Sequence, residues 1–197
     1  MAVGPRYQVP FRRRREGKTD YHKRLGLMRT QRPRVVVRKT GRNLIIQLVA
    51  DGSAGDVTLA SANALELRNL GFKGPTGNTP AAYLTGLLFA TRALKDGHSK
   101  GVLDLGLSAN SRGSRTYAAL SGAVEGGLEI PHSSEPLPGP ARLHGEHIVA
   151  YAAVKPERFS RYSLAPEDLP KQVDSVKQQI LKQATDERTA KTEAHNE

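Results

Sequence analysis

The chain has 197 residues, 30 Lys and Arg against 19 Asp and Glu, and a formal charge of +11. That is length enough for one domain with a real core, and a charge that calls for a polyanionic partner. It contains no cysteine, which excludes disulfides, thiolate metal sites, iron–sulfur clusters and a cysteine nucleophile. No apolar run approaches the ~18–20 residues of a membrane span. The N-terminus shows no apolar signal-peptide core, so a soluble, cytoplasmic protein is expected.

The charge is not spread evenly. Residues 1–42 hold 14 Lys and Arg (Arg6, Arg12, Arg13, Arg14, Arg15, Lys18, Lys23, Arg24, Arg29, Arg32, Arg34, Arg38, Lys39 and Arg42) against two acids, Glu16 and Asp20. Residues 43–197 hold 16 basic and 17 acidic groups and are close to neutral. A segment so self-repelling, with so few apolar residues, does not fold alone. Membrane-surface segments interleave basic and bulky apolar residues on one helical face. Phe11, Tyr21 and Leu25 are too sparse for that, so nucleic acid is the better fit, and a plainly solvated surface is the bland alternative.

In chain order, residues 1–33 read as a basic arm, extended up to Glu16 because Pro5 and Pro10 keep their predecessors out of the helical region. One or two helical turns follow from Asp20 to Met28, capped by Thr19 or Asp20. Residues 34–132 read as the body. Arg34–Lys39 and Asn43–Ala50 are β-branched runs joined by a basic turn at Thr40–Asn43, a hairpin. A second turn at 51–56 leads to a third strand, Val57–Ser61. A short helix is expected over Ala62–Leu70, and a long one from Pro80 to Gly97 with Thr79 as its cap. Lys100–Leu107 reads as a short buried strand and Thr116–Glu125 as a helix. The fold class is therefore α+β, an antiparallel three-stranded meander followed by helix, strand and helix, in a mixed sheet covered by helices. Residues 133–155 are expected to form a Pro-rich linker and a last strand, Gly145–Ala152. Residues 156–197 form a polar C-terminal extension. Within it Gln172–Thr189 is amphipathic, with Val173, Val176, Ile180 and Ala184 in line, and Thr189–Glu197 is expected to lack structure.

Several constellations bear on chemistry. Gly71–Thr79 is glycine-rich and precedes a helix, but it lacks the Gly-Lys-Ser/Thr of a nucleotide loop and does not follow a strand. Shaping and capping the helix is its expected role. Ser111-Arg112-Gly113-Ser114-Arg115 precedes another helix and suits a nucleic-acid phosphate. The alternative is that Arg112 or Arg115 pairs with Asp104 and Ser114 is only a cap. His144-Gly145-Glu146-His147 has the wrong spacing for a His-Glu-x-x-His metal site, and no metal or other cofactor is expected. A two-metal nuclease of RNase-H-like fold would need converging carboxylates. Asp51, Asp104 and Glu125 are the core candidates, without a shared motif. Tyr7 and Tyr21 are candidates either for stacking on unpaired bases or for simple packing.

Ordered blocks of this sequence are similar to one family. They are Arg13-Arg14-Arg15-Glu16-Gly17-Lys18-Thr19-Asp20-Tyr21 with Lys23-Arg24-Leu25, then Gly77-Asn78-Thr79-Pro80 running to Leu88. Leu103-Asp104-Leu105-Gly106-Leu107, Gly113-Ser114-Arg115, Ala118–Ala123, Gly127–His132 and Gly145-Glu146-His147-Ile148 follow. Together they resemble the ribosomal protein L-eighteen family in its archaeal and eukaryotic branch, over roughly Pro5 to Ala152. The absence of a long basic C-terminal extension favours the archaeal form. The resemblance implies a non-enzymatic constituent of the large ribosomal subunit. Such a protein would bind 5S rRNA and help attach it to the 23S-type large rRNA in the central protuberance, beside neighbouring ribosomal proteins and away from membranes. The implied RNA contacts are Arg12, Arg13, Arg14, Arg15, Lys18, Tyr21, Lys23 and Arg24 of the arm and Arg38, Lys39 and Arg42 of the hairpin, with Arg112 and Arg115 added. A metal-dependent nuclease and a generic RNA chaperone are the alternative readings.

Overall fold

The computed structural model describes residues 4–53, 55–160 and 162–193. Four strands form one sheet in the order β3-β2-β1-β4. β1 (Arg34–Lys39), β2 (Leu44–Gly52) and β3 (Gly55–Asn63) are the expected meander. β4 (Val102–Asp104) lies parallel to β1, so the sheet is mixed. β3 is longer than the predicted run at both ends, and its register shifts between Leu48 and Val49 of β2.

The register explains which face is buried. Val35 pairs with Leu48 and Val37 with Ile46, and across β2 these meet Ala60 and Ala62. Side chains alternate across a strand, so these residues share one face, and all are buried. The opposite face carries Arg34, Val36 and Arg38 of β1 and Asp104 of β4, which lies opposite Val36.

Against the apolar face pack α3 (Thr79–Lys95) and α4 (Arg115–Glu125). α3 is buried on all sides, from Thr79 through Ala90 and again at Ala93, as expected of a helix that is apolar all round. Its cap is Asn78, whose side chain accepts from the Ala81 N–H at 2.8 Å. The cap is therefore one residue earlier than Thr79, because asparagine reaches the third N–H and leaves Thr79 and Pro80 inside the first turn. α3 and α4 approach at two glycines. A Cβ on Gly86 would lie 2.0 Å from the Ala119 carbonyl oxygen, and one on Gly122 would lie 2.0 Å from that of Tyr83.

Three further expectations change. The helix expected over Ala62–Leu70 is a short 3-10 helix, Ala64–Arg68, capped by Asn63 in a reciprocal box with Glu66; β3 takes the residues before it. Gly145–Ala152 is not a strand. α5 (Pro140–His144) and α6 (Glu146–Val154) meet at Gly145, whose φ of 90° only glycine adopts without strain. The β-branched pair Ile148-Val149 suggests a strand, but Ala150, Ala152 and Ala153 favour helix, and the sheet of β3, β2, β1 and β4 does not include this segment. The C-terminal helix α7 runs from Leu169 to Glu193, longer than expected, and buries Leu169, Val173, Val176 and Ile180 against α3 and α5. It takes in the first residues of the tail expected to lack structure; 194–197 lie outside the described residues.

Candidate nucleic-acid interface

The arm is less extended than its prolines suggest. Arg12–Arg15 makes a single helical turn, α1. Gly17, at φ 62°, ends it: the Gly17 N–H donates to Arg14 O and the Lys18 N–H to Arg13 O, a glycine-terminated cap. Pro10 lies just outside this turn and so does not oppose it. One turn spreads four guanidinium groups around its circumference. Arg13 Nε donates to Thr19 Oγ1 at 2.9 Å, and Arg12 and Lys18 lie 3.9 and 2.9 Å from the Glu16 carboxylate. Among the described residues Arg14 and Arg15 have no side-chain partner, and all four arginines are exposed.

α2 (Tyr21–Met28) follows, capped by Asp20, whose carboxylate accepts from the N–H groups of His22 and Lys23. Asp20 resolves the choice left open with Thr19. The Lys23 N–H bond leads in lowering its pKa. Tyr21 packs on Phe11 with ring centroids 5.3 Å apart, while Tyr7 is exposed. Arg24 is tied to the body, donating to Asp56 at 2.7 Å. Arg29 and Arg32, which close the arm, are exposed and have no side-chain partner among the described residues. They belong to the cationic run but were not among the assigned contacts.

The sheet face opposite the helices holds an ion network. Arg34 is buried and contacts Asp51 at 3.2 Å, Asp56 at 3.0 Å and Asp104 at 3.2 Å. Burial alone would lower its pKa, but the carboxylates of Asp56, foremost, and of Asp51 raise it. Arg38 reaches the same Asp104 carboxylate at 3.4 Å and donates to the carbonyls of Asp104 and Val37. Asp104 thus pairs with Arg34 and Arg38, not with Arg112 or Arg115. Arg112 instead pairs with Glu135, and Arg115 donates to the Gly77 carbonyl at 2.7 Å. Ser114 caps α4 by position only; its hydroxyl meets that of Thr116. At the hairpin turn Lys39 and Arg42 have no side-chain partner among the described residues.

The nuclease alternative does not survive this geometry. Asp51 and Asp104 are bridged by a guanidinium where metals would have to sit. Glu125 belongs to a separate cluster with Tyr83 and Lys177. Among the described residues no group of three or more His, Asp and Glu side chains is placed to hold a metal ion. His144 pairs with Asp174 at 3.1 Å, and burial, then the Arg142 charge, lowers the pKa of His147.

The arrangement sets an exposed cationic arm on a folded α+β body. Its residues 5–101 and 95–133 match the family of ribosomal large subunit proteins 60S L5 and 50S L18. A "large ribosomal subunit protein uL18" from Methanococcoides burtonii is 51% identical over 92% of this chain and 98% of its own length. Proteins of the same name from Methanothrix thermoacetophila and Methanoregula boonei are 55% and 57% identical, over 78% and 77% of this chain and 91% and 87% of theirs. The chain belongs to this ribosomal family, in its archaeal form, and is a structural protein of the large subunit, not an enzyme.

Proposed function

We propose that the protein binds 5S rRNA and helps attach it to the large rRNA in the central protuberance, in contact with neighbouring ribosomal proteins. The observation that carries this reading is the separation of charge. The described arm presents Arg14, Arg15, Arg29 and Arg32 without side-chain partners, and residues 1–42 hold 14 basic against two acidic groups, while residues 43–197, with 16 basic and 17 acidic groups, are close to neutral. Guanidinium groups fork onto phosphates and stack on exposed bases, and Lys supplies a point charge.

The assigned contacts divide by what already holds them. Arg12, Arg13, Arg14, Arg15, Lys18, Lys23, Lys39 and Arg42 are open to a phosphate. Exchange of Glu16 or Asp20 for an RNA oxygen costs little, since solvent screens exposed pairs. Arg24, Arg38, Arg112 and Arg115 have internal duties first and touch RNA with what remains exposed. Tyr21 stacks through Phe11, so the pair meets RNA as one apolar edge.

Ordering the arm costs ~1–2 kcal/mol per residue, and release of counterions offsets it. If ~6–8 arm charges meet phosphates, affinity falls by ~10³-fold or more between low and physiological salt. Deleting residues 1–15 is expected to weaken 5S rRNA binding while the body stays folded, by circular dichroism and urea titration. Unchanged affinity would remove the arm from the interface.

A further inference from the structure

Where the β1–β2 turn meets the loop before α3, the surface encloses a pocket of about 340 Å³. Its walls are Arg42, Arg68, Pro75, Gly77, Asn78 and Tyr162. No acidic residue lines it. Arg42 and Arg68 are exposed and without side-chain partners among the described residues. Tyr162 is 43% exposed, its ring set edge-on to Phe159 at 5.0 Å.

The floor is preorganised. Thr76 Oγ1 donates to the Arg42 carbonyl at 2.9 Å, and Arg115 grips the Gly77 carbonyl from below. Gly77 sits so close that a Cβ would lie 3.0 Å from both Arg42 Cα and the Gly41 oxygen. α3 begins here, so the positive end of a 17-residue helix faces the pocket. Asn78 spends Oδ1 on its cap and leaves Nδ2 buried without an acceptor.

Two unpaired cations over a helix start suit a phosphate, and an exposed ring beside a proline suits a flat heterocycle. The volume is at the small end of ligand sites, ~300–1,000 Å³, which fits one residue of a strand and no more. We infer that this pocket receives a single unpaired nucleotide of RNA, its phosphate between Arg42 and Arg68 and its base against Tyr162 and Pro75. The inference rests on the RNA-binding function proposed above and adds a base-reading contact on the body, in which Arg42 of the hairpin is joined by Arg68, Pro75 and Tyr162.

The test is a titration of the full chain with an unstructured heptanucleotide of mixed sequence, followed by backbone amide resonances, with inorganic phosphate as a separate arm. Movement of the Gly77 and Asn78 amides is expected, abolished by Tyr162→Leu and Arg68→Gln. Against 5S rRNA and a large-rRNA fragment, Tyr162→Leu weakens binding about fivefold or more to whichever RNA supplies the nucleotide. Arg68→Gln lowers the salt slope for that same RNA by about one. Still pocket amides while those of Lys18–Arg24 move would overturn the inference and leave the arm's function standing. Equal movement with phosphate alone, insensitive to Tyr162→Leu, would make this an anion site and overturn it too. No binding of either rRNA by the wild-type chain would sink both readings.

Discussion

Lys177 Nζ lies 2.6 Å from one oxygen of Glu125, whose other oxygen accepts the Tyr83 hydroxyl at 2.7 Å. Three helices, α7, α4 and α3, are thereby joined through one carboxylate. Lys177→Met leaves the apolar packing of α7 intact and removes the charge. Because the Glu125 side chain is 45% exposed, solvent screens the pair, and a loss of about 1 kcal/mol in urea unfolding is expected.

The same cluster predicts a pH window. Burial alone would raise the Glu125 pKa, but the Lys177 and Tyr83 hydrogen bonds outweigh it and hold it below its ordinary value of 4.5. A depressed carboxylate contributes stability above its unfolded pKa and loses it as pH falls through the folded one. Burial also pushes the Tyr83 hydroxyl up from 10.0 to about 12. That contribution is lost as pH rises across the interval. The advantage of wild type over Lys177→Met should stay level from pH 5 to 9 and shrink below 4.5. Urea midpoints of both proteins across pH check this.

Gly86→Ala and Gly122→Ala each put a methyl 2.0 Å from a backbone oxygen of the facing helix. Backbone cannot swing aside as a side chain can, so a loss of about 3 kcal/mol or more is expected. Gly26→Ala in α2, where a Cβ meets nothing within 4 Å, is the control and should be neutral or slightly stabilising.

Arg34→Met removes the cation shared by Asp51, Asp56 and Asp104. Breaking a buried pair from one side leaves charge uncompensated, and a loss of ~3–5 kcal/mol is expected. Thermal and urea unfolding would show it. A change under 1 kcal/mol would mean that water reaches the carboxylates freely.

Arg14→Ala with Arg15→Ala touches no internal contact. Unfolding should be unchanged, while the slope of log K against log salt for 5S rRNA falls by about two, roughly one per phosphate contact. Arg38→Ala should differ, costing body stability as well, because that side chain braces Asp104.

Much of the fold was legible in sequence because local signals and packing agreed. The hairpin follows from β-branched runs around Thr40–Asn43, and α3 from a helical apolar period. Thr79, standing directly before Pro80, reads as the cap of α3, whereas the side chain that caps it is that of Asn78. The Gly145 segment reads as strand because two β-branched residues in a short apolar run look alike in strand and helix, and nothing in the local pattern tells that Glu146–Val154 packs as a helix outside the sheet. For the interface, the cationic run was plain in the sequence, but its division of labour was not. Arg34 and Arg38 fall on one face by strand alternation, yet that face meets Asp104 only through the parallel pairing of β4, some seventy residues away. Arg115 gripping Gly77 likewise depends on where α4 crosses the α3 loop.

The central claim, that the arm anchors a body which recognises 5S rRNA, is tested most directly by titrating the protein against 5S rRNA and an unrelated structured RNA across a salt series. The account predicts steep slopes for both, with 5S rRNA still bound at salt where the other is released. Parallel loss of the two would show an electrostatic anchor without 5S recognition, and would contradict it.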